Sequence, residues 1–216
     1  LQAREDAWTG TNTHVMVLMV NAEVLDSDTP TSWEDLMDPA WKCKVTIADP
    51  ANSSSAYAQL YGIYKLYGED GVRALADVVE VQGSTSGVYK AVAQGEYPVG
   101  MTMEYAAQRY VAGGQDEVSL IYPSDGTFLS PEGMALIKDG PNPDDAKRVY
   151  DLLLSKDLQQ QLFELTFRRP SRGDLDEAIA ASGLPLMKDI KIIDVDQTVA
   201  GDERERLLEL WSEARG

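Results

Sequence analysis

The chain has 216 residues, of which 44% are hydrophobic and 25% are charged, a composition that is ordinary for a globular protein. Its 36 acidic and 19 basic side chains give a formal net charge of −17, which argues against nucleic acid and anionic membrane surfaces as partners. The single cysteine and single histidine exclude an intrachain disulfide, a cysteine-based zinc cluster and a metal site with several histidines.

The first part of the chain alternates between apolar runs and polar turns. A near-continuous apolar run at 14–20 predicts a strand that is buried on both faces. Thr31 and Glu34 have the spacing of a capping box, which predicts a short helix that stops before Pro39. A weakly alternating segment at 44–48 predicts a second strand.

Helical patterns dominate the remainder of the chain. Serines at 53–55 open a helix whose stripe of tyrosines predicts core packing, and Gly68 is a natural end for it. Further helices are predicted at 69–79, 88–93, 103–112, 142–154, 158–165 and 203–214, and further strands at 97–101, 118–122 and 134–137. The helix at 142–154 is expected to bury the stripe Ala146, Val149, Tyr150, Leu153 and Leu154. Strands that alternate with helices predict an α/β fold.

Six sequence segments stand out by their order and spacing. The longest, PTSWEDLMDPAWKCK at 30–44, is similar to the pattern P-x-S-W-x-D-L-x-D-P-x-W-K-G-K, with Cys43 where glycine is usual. The others are ADP followed by SSS within 48–55, VAQGEYPVG at 92–100, IYPSDGT at 121–127, a segment at 141–160, and RPSR at 169–172. Together they resemble the type II periplasmic solute-binding proteins of ABC transporters (extracellular solute-binding protein family 1), in the branch that takes ferric iron, phosphonates or sugar phosphates.

The resemblance implies a periplasmic-binding-protein-like II fold, in which two α/β lobes are joined by hinge strands and the ligand binds in the cleft. Because family members are longer, it also implies that a stretch is missing before Leu1 and that the first lobe is incomplete. The expected division is 1–21 as the hinge strand region, 22–122 as the second lobe, 123–175 as the remainder of the first lobe, and 176–216 as a tail and helix on the second lobe.

Ser53, Ser54 and Ser55 are the first candidate ligand-binding residues, because they lie at a predicted helix start. Free backbone N–H groups, hydroxyls and the helix dipole favour an anion there. Serine is also a good helix cap without any ligand. The resemblance favours the anion, since this turn often contacts phosphate or a synergistic anion in the family.

Ser84, Thr85, Ser86 and Gly87 repeat this arrangement at a second predicted helix start, where a flexible polar loop is the alternative. Two such helix N-termini facing one cleft would suit a phosphate or phosphonate group. The glycines at 83 and 87 do not form a Walker A loop, because no Lys-Ser or Lys-Thr pair follows them.

Glu104 and Tyr105 follow the strand predicted at 97–101, and a strand end in an α/β sheet is a favoured ligand location. Ferric-binding relatives carry a pair of adjacent tyrosines near this point, and this chain lacks the pair. Glu104 would suit a ligand amine or sugar hydroxyls. The alternative is an exposed first-turn glutamate that is favoured by the helix dipole.

Three other groups are assigned structural roles. The turn at 125–127 is interpreted as a hinge turn, and the acidic residues within 194–203 as a solvated face because they lack the spacing of a calcium loop. Arg168, Arg169 and Arg172 form a dense basic patch that is interpreted as a solvated face, with an anion contact as the alternative.

These observations predict the extracytoplasmic substrate-binding component of an ABC importer, which captures a small oxyanionic solute such as a phosphonate or sugar phosphate. We expect no catalytic residues, cofactor or metal, and a monomer that delivers the solute to the permease subunits. The location would be periplasmic or extracellular, although no signal peptide is present in this chain.

Three alternatives remain open from the sequence. One is a ferric-iron receptor of the same family. Another is the effector-binding domain of a transcription regulator, which can share this fold. The third is an enzyme of similar fold, such as a prephenate-dehydratase-like or deaminase-like lyase, for which the scarcity of histidine and cysteine leaves few catalytic candidates.

Overall fold

The computed structural model describes residues 8–26 and 28–216. The strands are β1 (Thr9–Asn21), β2 (Val45–Ala48), β3 (Glu80–Gln82), β4 (Val99–Met103), β5 (Val118–Ile121), β6 (Leu129–Met134) and β7 (Arg169–Pro170). The helices are α1 (Ser54–Val78), α2 (Thr85–Ala93), α3 (Glu104–Ala112), α4 (Pro143–Leu154), α5 (Lys156–Thr166), α6 (Asp176–Ala181), α7 (Gln197–Asp202) and α8 (Arg204–Arg215). Short 3-10 turns lie at Asp35–Met37, Pro39–Trp41 and Met187–Asp189.

The chain forms two compact units. The large unit contains residues 15–129 and 190–216, and the described part of the small unit contains residues 8–14 and 130–189. Strand β1 contributes residues to both units. None of the helices within the described ranges is long and apolar enough to cross a membrane.

The large unit is built on a mixed sheet with the strand order β3-β2-β4-β1-β5. β2 is parallel to both β3 and β4, whereas β1 is antiparallel to β4 and β5. The apolar run of β1 is buried from Val15 through Asn21, as its lack of alternation predicts for a strand covered on both faces. One hydrophobic cluster joins α1 and α8 to the sheet, and a second joins Met19 to α2 and α3.

Helix α1 carries the tyrosine stripe into this core. Tyr57 and Tyr61 are buried and Tyr64 packs against them at partial exposure, so the prediction of core packing is confirmed. Gly68 interrupts the helix with φ 66 and ψ −159, where the sequence predicted a break between two helices. Cys43, in the loop before β2, also has a positive φ of 63, a conformation that favours glycine.

In the large unit one local prediction is wrong, and one strand is shifted by two residues. Thr31 and Glu34 do not form the capping box; the Asp35 carboxylate accepts from Thr31 N and Ser32 N, and Ser32 Oγ accepts from Asp35 N. The reciprocal bonds therefore join Ser32 and Asp35, and only a 3-10 turn follows. The strand predicted at 97–101 is found at Val99–Met103, where it pairs with β1 along its whole length.

The small unit contains β6 and β7, which pair with β1, together with α4, α5 and α6. The strand predicted at 134–137 is wrong, since β6 ends at Met134. The predicted burial of the α4 stripe is also wrong: no residue of α4 is buried, and Val149 is 55% exposed. The described small unit covers this helix only partly, mainly through α5.

Candidate functional site

The carboxyl ends of three parallel strands define the candidate site in the large unit. The register places Ala48 of β2 beside Gln82 of β3, and Thr46 of β2 beside Gly100 of β4. Each of these strands is followed closely by a helix, so α1, α2 and α3 all begin at the same edge of the sheet. Such an edge is where open α/β sheets bind ligands, because free N–H groups of helix N-termini point outwards there.

A loop that is stabilised by hydrogen bonds to Asp49 connects β2 to the N-terminus of α1. The Asp49 carboxylate accepts from Ala51 N at 2.9 Å and from Asn52 Nδ2 at 2.6 Å, and Ser53 N donates to Asp49 O at 2.9 Å. Ser53 is the N-cap, with its Oγ accepting from Ala56 N at 3.2 Å. Capping uses one backbone donor, and helix geometry leaves the N–H groups of Ser54 and Ser55 without an intrahelical acceptor.

The N-terminus of α2 is built in the same way. Ser84 is the N-cap, and its Oγ accepts from Gly87 N at 3.1 Å. Ser84 Oγ also lies 3.2 Å from Ser86 Oγ. The Gly87 N–H is therefore already engaged, whereas those of Thr85 and Ser86 have no intrahelical acceptor.

The two N-termini meet through their side chains. Ser53 Oγ lies 2.8 Å from Thr85 Oγ1 and 3.0 Å from Ser55 Oγ, while Ser55 Oγ and Thr85 Oγ1 are 3.4 Å apart. We call Ser53, Ser55 and Thr85 the hydroxyl cluster. The structure thus brings together the two predicted serine turns, leaving Ser54 and Ser84 exposed beside the cluster.

Glu104 and Tyr105 open α3 at the same sheet edge. Glu104 is only 1% exposed, and its Oε2 accepts from the Tyr122 hydroxyl at 2.6 Å. The alternative of an exposed first-turn glutamate is therefore wrong, because β4 carries this residue into the interior. Tyr105 is partly buried and packs against the main core.

Two residues of this edge were not found from the sequence. Gln59 of α1 is buried, and its Nε2 donates to Thr102 O at 3.2 Å, which fastens the end of β4 to α1. Thr102 has the only polar side chain of β4, and it is 1% exposed. A threonine within the apolar segment VGMTM was the available signal for it.

The turn at 125–127 is joined by hydrogen bonds to the Trp33–Glu34 turn and to α1. Asp125 Oδ2 accepts from Trp33 N at 2.8 Å, from Glu34 N at 3.2 Å and from the Tyr67 hydroxyl at 2.5 Å. Burial and this bond to Asp125 raise the pKa of Tyr67. Asp125 therefore anchors the Trp33–Glu34 turn, and the hinge role stays a prediction.

The interpretation of the three arginines as one solvated patch is wrong for Arg169. This side chain is 2% exposed and donates to Pro185 O at 2.7 Å, because β7 turns it into the small unit. Arg172 pairs with both oxygens of Asp174, and Arg168 lies 3.2 Å from Glu132 Oε2. Each guanidinium thus has a partner of its own.

The donor set at the sheet edge consists of hydroxyls and backbone N–H groups. Such neutral donors fit the oxygens of an oxyanion, with the helix dipoles adding a favourable local field. Across 8–26 and 28–216, no group of three or more His, Cys, Asp or Glu side chains is arranged to hold a metal ion.

The comparisons with known proteins identify the family of the chain. The chain matches the family model of bacterial extracellular solute-binding proteins over residues 1–198, and it belongs to that family. It is 29% identical over 197 residues to an uncharacterized protein of Haemophilus influenzae, which covers 85% of this chain and 55% of that protein. It is 25% identical over 211 residues to iron uptake protein A1 of Synechocystis, covering 88% and 54%. The chain thus spans about half the length of these curated relatives.

Solved structures share the fold. The periplasmic binding protein P5PA matches with a TM-score of 0.84 at 23% identity, over 99% of this chain and 70% of that one. AfuA from Actinobacillus pleuropneumoniae, with fructose-6-phosphate bound, matches with a TM-score of 0.83 at 24% identity, over 99% and 70%. The predicted type II periplasmic-binding-protein fold is confirmed, as is the prediction of a binding-protein family and not an enzyme family.

Proposed function

We propose that this chain is part of the substrate-binding receptor of an ABC importer, and that it captures a small oxyanionic solute at the carboxyl edge of the large unit. The observation that carries the proposal is the 2.8 Å contact between Ser53 Oγ and Thr85 Oγ1, which brings the N-termini of α1 and α2 to one point. On this proposal the protein works outside the cytoplasmic membrane as a monomer and passes the solute to the permease.

The charge of the chain constrains how such a solute binds. A net charge of −17 repels anions on average, so affinity must come from local donors. The hydroxyl cluster and the first-turn N–H groups are donors of this kind, and mutual contacts hold the three hydroxyls close together. A phosphate or phosphonate group presents several acceptor oxygens and matches them.

The second part of the solute would be recognised by Glu104. Its carboxylate follows β4 at the same edge, and an anionic acceptor suits an amine or sugar hydroxyls. The sugar phosphate named for the AfuA structure combines an oxyanion with hydroxyls and supports this assignment. We therefore propose that the solute is a small phosphate ester or phosphonate that also carries an amine or sugar hydroxyls.

Ferric iron is the second candidate. The Glu104 carboxylate and the Tyr122 hydroxyl lie 2.6 Å apart and are hard oxygen donors of the kind that Fe³⁺ prefers. The similarity to iron uptake protein A1 of Synechocystis supports this alternative. It predicts that iron binding needs Tyr122, whereas oxyanion binding needs the hydroxyl cluster.

Calorimetric titration with fructose 6-phosphate, inorganic phosphate and ferric citrate tests the proposal. We expect Ser55→Ala to weaken binding of the phosphate compounds about tenfold, because one hydrogen bond to a charged group is lost. Ser54→Ala is the matched control, since its side chain is exposed and lies outside the hydroxyl cluster, and it should change affinity less than about twofold.

Three results would count against the oxyanion proposal. The first is that neither phosphate compound binds more tightly than millimolar. The second is that Ser55→Ala binds them as well as the wild-type protein does. The third is that ferric citrate alone binds and that Tyr122→Phe abolishes this binding, which would favour the iron receptor.

A further inference from the structure

The hydroxyl of Thr102 is buried without a hydrogen-bond partner. The residue is 1% exposed, and among the residues that the structure describes no group bonds its Oγ1. Buried hydroxyls normally find a partner, because a lone one loses its bonds to water and gains nothing in return. Thr102 therefore needs an explanation that ordinary packing does not supply.

The neighbouring strands cannot satisfy this hydroxyl. Val17 of β1 lies directly opposite Thr102. On the other side, Thr46 of β2 is opposite Gly100, which places Ala48 two residues further on beside Thr102. Both cross-strand neighbours have apolar side chains, so the partner must come from the layer above the sheet.

The Thr102 side chain points towards the start of α2. A Cβ placed on Gly100 would lie 2.7 Å from Val92 and 3.0 Å from Val88, so that face of β4 lies under α2. Side chains two apart in a strand share a face, and Thr102 lies about 6.6 Å further along. This step leads towards the helix start, because α2 begins near the carboxyl end of β3 and runs back to the beginning of β4.

The first turn of α2 carries Thr85, which belongs to the hydroxyl cluster. We propose that Thr102 is a ligand-binding residue that forms the floor of the oxyanion site, with its hydroxyl reserved for an oxygen of the bound solute. This inference rests on the proposed function and adds a residue to the same site.

A purely structural role for this side chain lacks support. Gln59 fastens β4 through the Thr102 carbonyl, which any residue would supply. A valine has nearly the same shape as threonine, so the packing around this position would accept it. The hydroxyl is therefore the part of Thr102 that no hydrogen bond among the described residues uses.

The test compares Thr102→Val with Thr102→Ser in the wild-type background, by calorimetric titration with inorganic phosphate and fructose 6-phosphate and by thermal denaturation without ligand. We expect Thr102→Val to keep or raise the denaturation temperature and to weaken binding about tenfold. Thr102→Ser keeps the hydroxyl and should bind within about threefold of wild type. If the valine variant does not fold, Thr102→Ala should show the same loss of affinity.

Two outcomes overturn the inference while the proposed function survives. One is that the valine variant binds both probes as wild type does, with Ser55→Ala still weakening them. The other is that the serine variant loses as much affinity as the valine variant, which would point to shape and not to the hydroxyl. If the wild-type protein binds neither probe, the oxyanion site itself is wrong and this assignment falls with it.

Discussion

The two compact units differ in how they treat equally regular hydrophobic stripes. In the large unit, α1 buries its stripe, and Leu60 and Ile63 are fully inaccessible. In the small unit, α4 has a stripe of similar regularity with no buried residue. Large exposed hydrophobics are concentrated in 130–189, namely Leu136, Ile137, Val149, Leu152, Leu162 and Leu165. Periodicity thus reports which face of a helix is apolar, but the neighbouring layers decide whether that face is covered.

A truncation in each stripe tests this difference most directly. Leu60→Ala in the large unit removes fully buried methyl groups and leaves a cavity, so the free energy of unfolding should fall by about 2–5 kcal/mol. Val149→Ala on the exposed face of α4 should change it by less than about 0.5 kcal/mol. Urea unfolding curves measure both, and equal losses would show that α4 is buried in solution.

A smaller effect is expected from pH, again in the large unit. Burial of Tyr57, whose hydroxyl donates to Ala200 O, raises the pKa of this phenol to about 12. The folded state then holds the proton more tightly than the unfolded state, so this contribution is intact below pH 10 and is lost between pH 10 and 12. Tyr57→Phe should lower stability by about 1 kcal/mol at neutral pH and flatten its decline in that window.

Denaturation midpoints at pH 8, 10 and 11 provide the measurement for this prediction. Tyr150→Phe in α4 is the control, because this residue is not buried. An undiminished decline between pH 10 and 11 in the Tyr57 variant would assign the effect to other groups.

Two serine substitutions, for which we expect only small changes in stability, distinguish helix capping from ligand binding. Ser155 caps α5 of the small unit with its Oγ 3.4 Å from Leu158 N, and its hydroxyl touches no other helix N-terminus in the contacts described. Ser155→Ala should cost about 0.5 kcal/mol of stability and leave phosphate affinity unchanged. Ser53→Ala should lower both quantities. A drop in affinity for the Ser155 variant would mean that capping as such, and not the hydroxyl cluster, governs binding.

Much of the fold could be predicted from local pattern. The apolar run of β1 and the break at Gly68 are both short-range signals, and both are found in the structure. β3 was missed because Glu80–Gln82 has only three residues and no buried side chain, so neither length nor alternation marks it. The shift of β4 has a long-range cause, since its extent is set by pairing with β1.

The candidate site was predictable in its parts but not in its assembly. The two serine turns were visible, yet the Ser53–Thr85 contact joins residues 32 positions apart and depends on β2 and β3 being neighbours. Because β3 itself was missed, the sequence offered two helix N-termini facing one cleft as an arrangement that would suit a phosphate, but it did not predict the side-chain contact between them. The role of Thr102 was not predicted either, because a hydroxyl without a partner can be recognised only when all surrounding groups are placed.

The strained loop before β2 has a practical consequence. Cys43 is the sole cysteine of the chain, is exposed, and sits with a left-handed backbone where the resembling family usually has glycine. A hydrogen bond to the Glu80 carboxylate raises the pKa of the thiol, so we expect its alkylation to be slower at neutral pH than in mild alkali. One native attachment point for a fluorescent dye is therefore available at the start of β2, the strand that leads to Ser53. Solute capture could then be followed optically without engineering a new thiol.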